Sequence, residues 1–297
     1  MLTLSGVLLA VHSVHAAPSS VPLDWARNIT GRRFDGIGGL SGGGATSTFL
    51  LAYKEPQRSE IMDWMFKPGF GASLNILKVE VGSDDQTTDG CEGCHMRSPT
   101  EVDCHRGYEW GLMKAAAARN PDIILYGLPW AWAGWLGFGT NSPYANVTAT
   151  ADYTAKWIEC GRDAHGLNIS MIGLWNEEPG PVPYILALRQ RLDAGGLSHV
   201  KIIAPDGGGG GMDMIAAEMA SNPSVKAAVG ALGSHYPGSQ GTSPAVRAAG
   251  VPAWSAEDYS TYSDATGAGC WGRLLVQNMG WDLSATISWY HSNQLFS

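Results

Sequence analysis

Two glutamates in this sequence follow short apolar segments, so each could sit at the end of a buried strand. Glu177 ends the segment MIGLWNE at 171–177, and Glu257 lies near the end of PAWSAED at 252–258. Brief apolar segments of this kind are typical of parallel strands that are covered on both faces. Two carboxyl groups that face each other across a pocket can cleave a glycosidic bond. The pattern therefore predicts a glycoside hydrolase with this pair as its catalytic residues.

Strand-like segments recur along the chain, and helical segments separate them. The predicted strands are 35–40, 74–81, 123–128, 171–175, 200–204, 229–234, 251–255 and 285–289. The predicted helices between them include 59–66, 108–119 and 183–192. This alternation indicates an α/β fold with a parallel sheet, and eight strands is the number that closes a (β/α)8 TIM barrel. Glu177 and Glu257 then follow the fourth and seventh strands, at one rim of the barrel.

The composition excludes some classes of protein. The chain has 297 residues, is 44% hydrophobic and carries a net charge of -8 with 19 Lys and Arg. Because phosphate binding needs a basic face, we expect no nucleic-acid partner. No apolar run after the N-terminus reaches the roughly 18 residues that a membrane-spanning helix needs. We expect the catalytic barrel to occupy residues 32–297.

The N-terminus has the features of a secretory signal. Residues 2–14 are mostly small and apolar, and a small-x-small site follows at 14–16, although no Lys or Arg follows Met1. We therefore predict a signal peptide over 1–17 and a secretory-pathway protein, extracellular or lysosomal/vacuolar. Three glycosylation sequons agree with this prediction, at Asn28, Asn146 and Asn168.

Five cysteines are an odd number for a secreted chain. Two disulfides could join four of them, Cys91, Cys94, Cys104 and Cys160. Cys270 would then be a buried thiol or the partner of a cysteine outside this chain.

The segment CEGCH at 91–95 matches the c-type haem attachment string, and with Cys104 and His105 it could bind zinc. No small helical cytochrome pattern surrounds it. We favour disulfides or packing for these residues, and we expect neither a metal nor a cofactor.

Longer segments resemble the galactocerebrosidase family of glycoside hydrolases. The segments that carry the resemblance are FDGIG 34–38, SGGGATS 41–47, FGASL 70–74, ILKVE 76–80, QTTDG 86–90, GLPW 127–130, WNE 175–177, HYPG 235–238 and GAGCWGR 267–273. They span nearly all of residues 34–290. The resemblance implies a retaining β-galactosidase that acts on galactosylceramide-like glycolipids by double displacement.

The resemblance also implies a role for individual residues. Glu177 is the expected proton donor and later base, Glu257 the nucleophile, and Asn176 a contact near the sugar 2-hydroxyl. The other expected substrate contacts are Thr88, Trp130 and Trp289, with Tyr236, Ser260 and Gly43 as further candidates. Tryptophan suits this role because apolar sugar faces pack on flat rings, although the two tryptophans could instead only plug the barrel.

We make a separate prediction for each of two residues close to the predicted nucleophile. Tyr236 is a candidate for orienting Glu257. Asp258 follows Glu257 directly, and adjacent strand residues point to opposite faces, so we expect Asp258 to be structural.

Family members carry a β-sandwich and a lectin-like domain after the barrel, and a segment before the barrel pairs into that sandwich. By this resemblance, residues 18–31 correspond to that segment. In the family, an arginine of the sandwich contributes to the galactose site, and the counterpart of Cys270 pairs beyond the barrel. We expect this chain to correspond to the barrel portion, ending after the eighth strand and without those domains.

Two alternatives stay open at this point. One is a related retaining glycosidase of other specificity, such as a β-glucosidase, a glucosylceramidase or an endo-galactanase. The other is a non-catalytic or unstable remnant, because a barrel without its sandwich would expose apolar surface. The expected partners are a glycolipid or β-galactoside substrate and a lipid-presenting helper protein.

Overall fold

Eight parallel strands close into a barrel in the computed structural model of the chain, in sequence order around the ring. The strands are β1 (Gly36–Ser41), β2 (Ile76–Glu80), β3 (Ile124–Leu128), β4 (Ile169–Ile172), β5 (Lys201–Gly207), β6 (Val229–His235), β7 (Ala253–Asp258) and β8 (Ala285–Ser288). β1 pairs with β2 through Gly38 and Ile76, and with β8 through Gly36 and Ala285. The predicted (β/α)8 barrel is therefore confirmed.

The structure describes residues 33–43, 48, 50, 52–88, 90–208, 210–238, 241–260 and 265–289. The signal peptide predicted over 1–17, the segment 18–31 and the sequon at Asn28 lie outside these residues. The described residues all belong to one compact unit.

The helices among the described residues lie between the strands. They are α1 (Gln57–Phe66), α2 (Glu109–Arg119), α3 (Val147–His165), α4 (Val182–Ala194), α5 (Gly211–Ser221), α6 (Pro223–Ala228), α7 (Pro244–Ala248) and α8 (Ala265–Gly280). The Asn146 side chain accepts hydrogen bonds from two N–H groups of the first turn of α3, and Gly166 ends that helix with φ 65°. None of the described helices has the length and apolar character needed to cross a membrane.

Two clusters of buried side chains fill the unit. The first lies between strands and helices and includes Phe66, Trp157 and Tyr184. The second lies inside the barrel and is formed by Leu40, Ile76, Tyr126, Leu128, Met171, Ile203, Ala231, Trp254, Ala285 and Ile287. Because strand residues alternate in direction, Lys78 shares the inner face of β2 with Ile76.

The ends of two strands differ from the prediction. β4 stops at Ile172, whereas the sequence pattern predicted a strand over 171–175. Beyond Gly173 the backbone leaves the ladder, since Asn176 N–H donates to Pro129 O at 2.8 Å and Glu177 N–H to Asp206 O at 3.1 Å. Glu177 therefore lies in a loop after β4. β7 runs to Asp258 instead of stopping at 255, so that Glu257 lies inside a strand.

One disulfide is present among the described cysteines, between Cys104 and Cys160, which are 56 residues apart in sequence. It ties the loop before α2 to α3. A second bridge between Cys91 and Cys94 is absent, so the expectation of two bridges is wrong for these residues. The Cys94 thiol is buried and lies 2.8 Å from the carbonyl oxygen of Met96 instead.

We expect the double substitution Cys104→Ala/Cys160→Ala to lower the free energy of unfolding by about 2–4 kcal/mol, because it releases a long loop in the unfolded chain. Urea denaturation of the oxidised protein measures the change. Cys91→Ala, at an exposed position outside the bridge, is the matched control and should leave the midpoint nearly unchanged.

Candidate active site

Glu177, His235 and Glu257 meet at the C-terminal rim of the barrel. One carboxylate oxygen of each glutamate and a ring nitrogen of His235 all lie within 4.8 Å of one another. In parallel barrels the loops at this rim carry the catalytic groups. The two glutamates that the sequence predicted as a pair are therefore brought together at one rim of the barrel.

The loop after β4 presents Glu177 in an unusual backbone conformation. Glu177 has φ 58°, a left-handed value that is uncommon for residues other than glycine. A Cβ atom on Gly207 would lie 3.1 Å from the Cα of Glu177. A glycine at the end of β5 therefore lets this loop approach the neighbouring strand closely.

Glu257 is held inside β7 and is fully buried. The Tyr236 hydroxyl donates a hydrogen bond to Glu257 Oε1. On the other side, Glu257 Oε2 lies 3.6 Å from His235 Nδ1 and 3.8 Å from Lys78 Nζ. The predicted contact between Tyr236 and the nucleophile candidate is thus present in the structure.

A buried cluster of Lys78, Asp206 and His235 lies beneath the two glutamates. Asp206 Oδ1 accepts hydrogen bonds from Lys78 Nζ at 3.0 Å and from His235 Nε2 at 2.7 Å. Lys78 Nζ also donates to the carbonyl oxygen of Ala256 at 3.1 Å. All three side chains have 0% exposure.

Sequence reasoning did not select these three residues. The available signal was a lysine inside an otherwise apolar strand, in the segment LNILKVEV at 74–81. A lysine buried in a strand must be paired, since an unpaired charge is costly in the protein interior. That cost predicts an acidic partner for Lys78 but does not identify Asp206.

The two catalytic candidates have pKa values shifted in opposite directions. The hydrogen bond from His235 lowers the pKa of Glu177, although partial burial opposes it. Burial raises the pKa of Glu257, and the charges of Lys78 and His235 offset this only in part. A proton donor needs the raised value and a nucleophile the lowered one, so these directions are the reverse of the expected roles.

Because Glu177 is partly exposed, burial does not outweigh the effect of the His235 hydrogen bond on its pKa. Its side chain is 47% exposed, so water stabilises its charged form. A sugar lying over Glu177 would remove that water and favour the neutral, proton-donating form.

Three expected substrate contacts, Gly43, Thr88 and Trp130, lie close to one another. A Cβ atom on Gly43, which has φ 68°, would lie 3.0 Å from Thr88 Oγ1 and 3.4 Å from Trp130 Nε1. Gly43, Thr88 and Trp130 therefore form one wall. Asn176 adjoins this wall, because its backbone is bonded to Pro129.

The remaining candidates follow β7 and β8 at the same rim. Trp289 packs against the cluster inside the barrel and donates its backbone N–H to Asp258 O at 2.8 Å. Ser260 is buried two residues beyond β7. The Asp258 carboxylate accepts from Ser255 and Asn278 at 3.1 and 3.2 Å, which fits the structural role expected for it.

The segment 91–95 does not form a metal site with Cys104 and His105. Cys104 is in the disulfide, and His95 Nε2 lies 2.9 Å from the carbonyl oxygen of Tyr153. In the described part of the chain, one group of three or more His, Cys, Asp or Glu side chains converges closely enough to ligate a metal. That group is the rim cluster itself.

The model of glycosyl hydrolase family 59 matches residues 34–294 of the chain. The chain is 50% identical over 272 residues to a galactocerebrosidase of Danio rerio, covering 90% of this chain and 40% of the relative. It is 49% identical over 260 residues to a galactocerebrosidase of Homo sapiens, covering 87% of this chain and 37% of the relative. The chain thus spans about 40% of the length of the curated relatives that it matches.

Solved structures with low sequence identity share the fold. SrfJ from Salmonella typhimurium superposes with a TM-score of 0.73 at 16% identity, covering 87% of this chain and 65% of that one. The catalytic domain of the GH30 xylanase C from Talaromyces cellulolyticus gives a TM-score of 0.67 at 19% identity, covering 87% of this chain and 68% of that one. At these identities the likeness establishes the barrel architecture alone.

Proposed function

The chain belongs to glycosyl hydrolase family 59, and from this membership we propose that it is a retaining β-galactosidase. The observation that carries the proposal is the spacing of Glu177 and Glu257, whose nearest carboxylate oxygens lie within 4.8 Å. Retaining enzymes place their carboxyl groups about 5–5.5 Å apart, whereas inverting enzymes need about 6.5–9.5 Å to admit a water. A close approach of this kind supports the retaining arrangement.

The proposed reaction uses the two glutamates in turn. Glu177 protonates the glycosidic oxygen while a Glu257 oxygen attacks the anomeric carbon, so that a covalent galactosyl-enzyme forms and the aglycone leaves. Glu177, now ionised, then takes a proton from a water that attacks the same carbon. This second displacement releases Glu257 and returns the original anomeric configuration.

The proposed substrate is a galactosylceramide-like glycolipid, a class that the names of relatives at about 50% identity support. Two polar atoms at the pocket agree with a sugar ligand. Trp130 Nε1 and Asn176 Oδ1 are buried and have no hydrogen-bond partner among the described residues. Because a buried polar atom without a partner is costly, hydroxyl groups of galactose would satisfy both. We include Thr88, Trp289, Gly43 and Ser260 among the proposed contacts.

We also propose a secretory-pathway location, extracellular or lysosomal, and a lipid-presenting helper protein for the glycolipid. The Cys104–Cys160 disulfide supports the location, because such bridges persist in oxidising compartments. Two predicted sequon asparagines, Asn146 and Asn168, are exposed.

The test compares hydrolysis of an aryl β-galactoside, an aryl β-glucoside and detergent-dispersed galactosylceramide. We expect turnover of both galactosides and β-galactose as the first anomer seen by proton NMR. A preference for the β-glucoside would favour the related glycosidases, and α-galactose as first product would overturn retention. A folded chain that turns over none of the three would favour the non-catalytic alternative.

We expect Tyr236→Phe to lower kcat/KM by about 10- to 100-fold, because it removes a hydrogen bond to the charged form of Glu257. Losing this donor raises the pKa of Glu257 further, so the acidic limb of the pH–rate profile should move to higher pH. Tyr259→Phe is the matched control, since Tyr259 is an exposed neighbour whose ring lies 5.5 Å from that of Tyr236. An unchanged acidic limb in Tyr236→Phe would contradict this role.

A further inference from the structure

Lys78 is a buried cation that lies beside Glu257 and beside His235, the residue that contacts Glu177. Its ammonium lies 3.3 Å from His235 Nε2 and 3.8 Å from Glu257 Oε2. His235, in turn, places Nδ1 3.1 Å from Glu177 Oε1. One positive charge therefore acts directly on Glu257 and, through the imidazole ring, on Glu177.

The hydrogen bonds of His235 define where its protons lie. Asp206 has a lowered pKa, since the charge of Lys78 and the bond from His235 outweigh its burial. Its ionised Oδ1 accepts at 2.7 Å, so Nε2 carries a hydrogen. The second ring nitrogen, Nδ1, faces Glu177 at 3.1 Å. A proton at that contact belongs either to the ring or to Glu177, and Glu177 needs it in order to act as an acid.

The charges around the ring compete for this proton. Burial and the charge of Lys78 lower the pKa of His235, whereas its bonds to Asp206 and Glu177 raise it, and the net direction is upward. A doubly protonated ring would place a second positive charge 3.3 Å from the Lys78 ammonium. Together with burial, Lys78 thus limits how tightly the ring keeps the proton.

We propose that Lys78 is a positioning residue for the reaction: its ammonium weakens the hold of His235 on the proton that Glu177 donates, and it favours the ionised form of Glu257. This inference rests on the proposed function. The titratable groups that face His235 and Lys78 are Asp206 of β5, Glu177 after β4, Glu257 of β7, Tyr236 after β6 and Tyr126 of β3, whose ring centre lies 5.4 Å from Nζ. These groups surround the Lys78 ammonium.

The test replaces Lys78 by glutamine, which removes the charge but keeps hydrogen-bond donors for Asp206 and the Ala256 carbonyl. Removing a cation at this distance makes both Glu257 and the Glu177–His235 pair bind protons more tightly. Both the acidic and the basic limb of the plot of kcat/KM against pH should therefore move to higher pH, by about 1–3 pH units. Lys78→Arg should keep both limbs close to those of the unaltered chain.

The same substitution at Lys201, an exposed lysine at the start of β5, is the matched control and should leave the profile in place. Lys78→Gln should lower kcat/KM more for substrates whose aglycone leaves poorly than for substrates whose aglycone leaves well, because the ring retains the proton. A Lys78→Gln profile that does not move, or that moves to lower pH, would overturn the proposal.

A second measurement does not depend on turnover. Nitrogen-15 NMR of histidine-labelled protein follows the titration of His235, assigned by the loss of its signal in His235→Gln. We expect the midpoint to rise by about 1–3 pH units in Lys78→Gln, and an unchanged midpoint would reject the inference even in a chain that cleaves β-galactosides. Absence of cleavage with a shifted midpoint would instead reject the proposed function alone.

If Lys78→Gln does not fold, the unaltered chain still provides a test. Saturating galactose covers Glu177, and the Nδ1 signal should change from the protonated to the unprotonated type as the proton passes to Glu177. A ring that stays doubly protonated with galactose bound would overturn the proposal.

Discussion

Replacing Glu257 by glutamine should reduce kcat for every β-galactoside by about 10⁴- to 10⁶-fold, the range seen when an enzyme loses its nucleophile. The amide keeps the size of the side chain but cannot form the covalent galactosyl intermediate. The loss should be the same for aglycones that leave well and for those that leave poorly, because attack on the anomeric carbon is blocked for both. Steady-state rates with a series of aryl β-galactosides measure this.

The control for this variant must separate chemistry from folding, since Glu257 is fully buried beside Lys78. Circular dichroism and the thermal midpoint should show that Glu257→Gln is folded. Glu218→Gln, on the exposed side of α5, makes the same chemical change away from the rim and should keep full activity. A folded Glu257→Gln variant that retains a tenth of the activity would remove this residue from the mechanism.

Glu177→Gln should produce a loss that depends on the leaving group. For galactosylceramide and alkyl galactosides, which need protonation of the departing oxygen, we expect kcat/KM to fall by about 10²- to 10⁴-fold. An aryl group that leaves as a stable anion needs little protonation. For such a substrate, formation of the galactosyl-enzyme should be nearly unaffected. Its turnover then becomes limited by the second step, in which Glu177 is the base. A plot of rate against leaving-group pKa gives the result.

The neighbouring residue gives a matched control for this second variant. Glu178 is exposed and lies in the same loop, so Glu178→Gln changes the charge at the rim without touching His235. We expect it to behave like the unaltered chain. Equal losses for good and poor leaving groups in Glu177→Gln would contradict the acid/base assignment.

The sequence predicted the barrel well because apolar strands and the segments between them alternate with a regular spacing. β3 and β8 agree with their predicted ranges to within one residue. It misplaced the end of β4 because Trp175 extends an apolar pattern after the backbone has left the ladder. The partners of that loop are Pro129 and Asp206, which are distant in sequence, so a local pattern could not indicate the change.

The meeting of Glu177 and Glu257 at one rim was also predictable, since each glutamate follows a buried segment. The cluster of Lys78, Asp206 and His235 was not, because its members come from β2, β5 and β6 and share no local motif. What joins them is burial of charge, which only the closed ring of strands imposes. Likewise, one disulfide instead of two depends on where loops lie in space, and cysteine spacing does not determine that.

The two glutamates are anchored to different degrees, one within the ladder of β7 and the other on a turn between β4 and α4. In the proposed mechanism the two displacements make unequal demands, since the nucleophile reacts with a single carbon while the acid/base residue must act first on an aglycone and then on a water. A firm anchor suits the first task and some freedom suits the second. Anyone who redesigns the chain for new aglycones, or for transfer to alcohols in place of water, should therefore vary 173–175 and 178, keep Asn176 and Glu177, and leave β7 untouched.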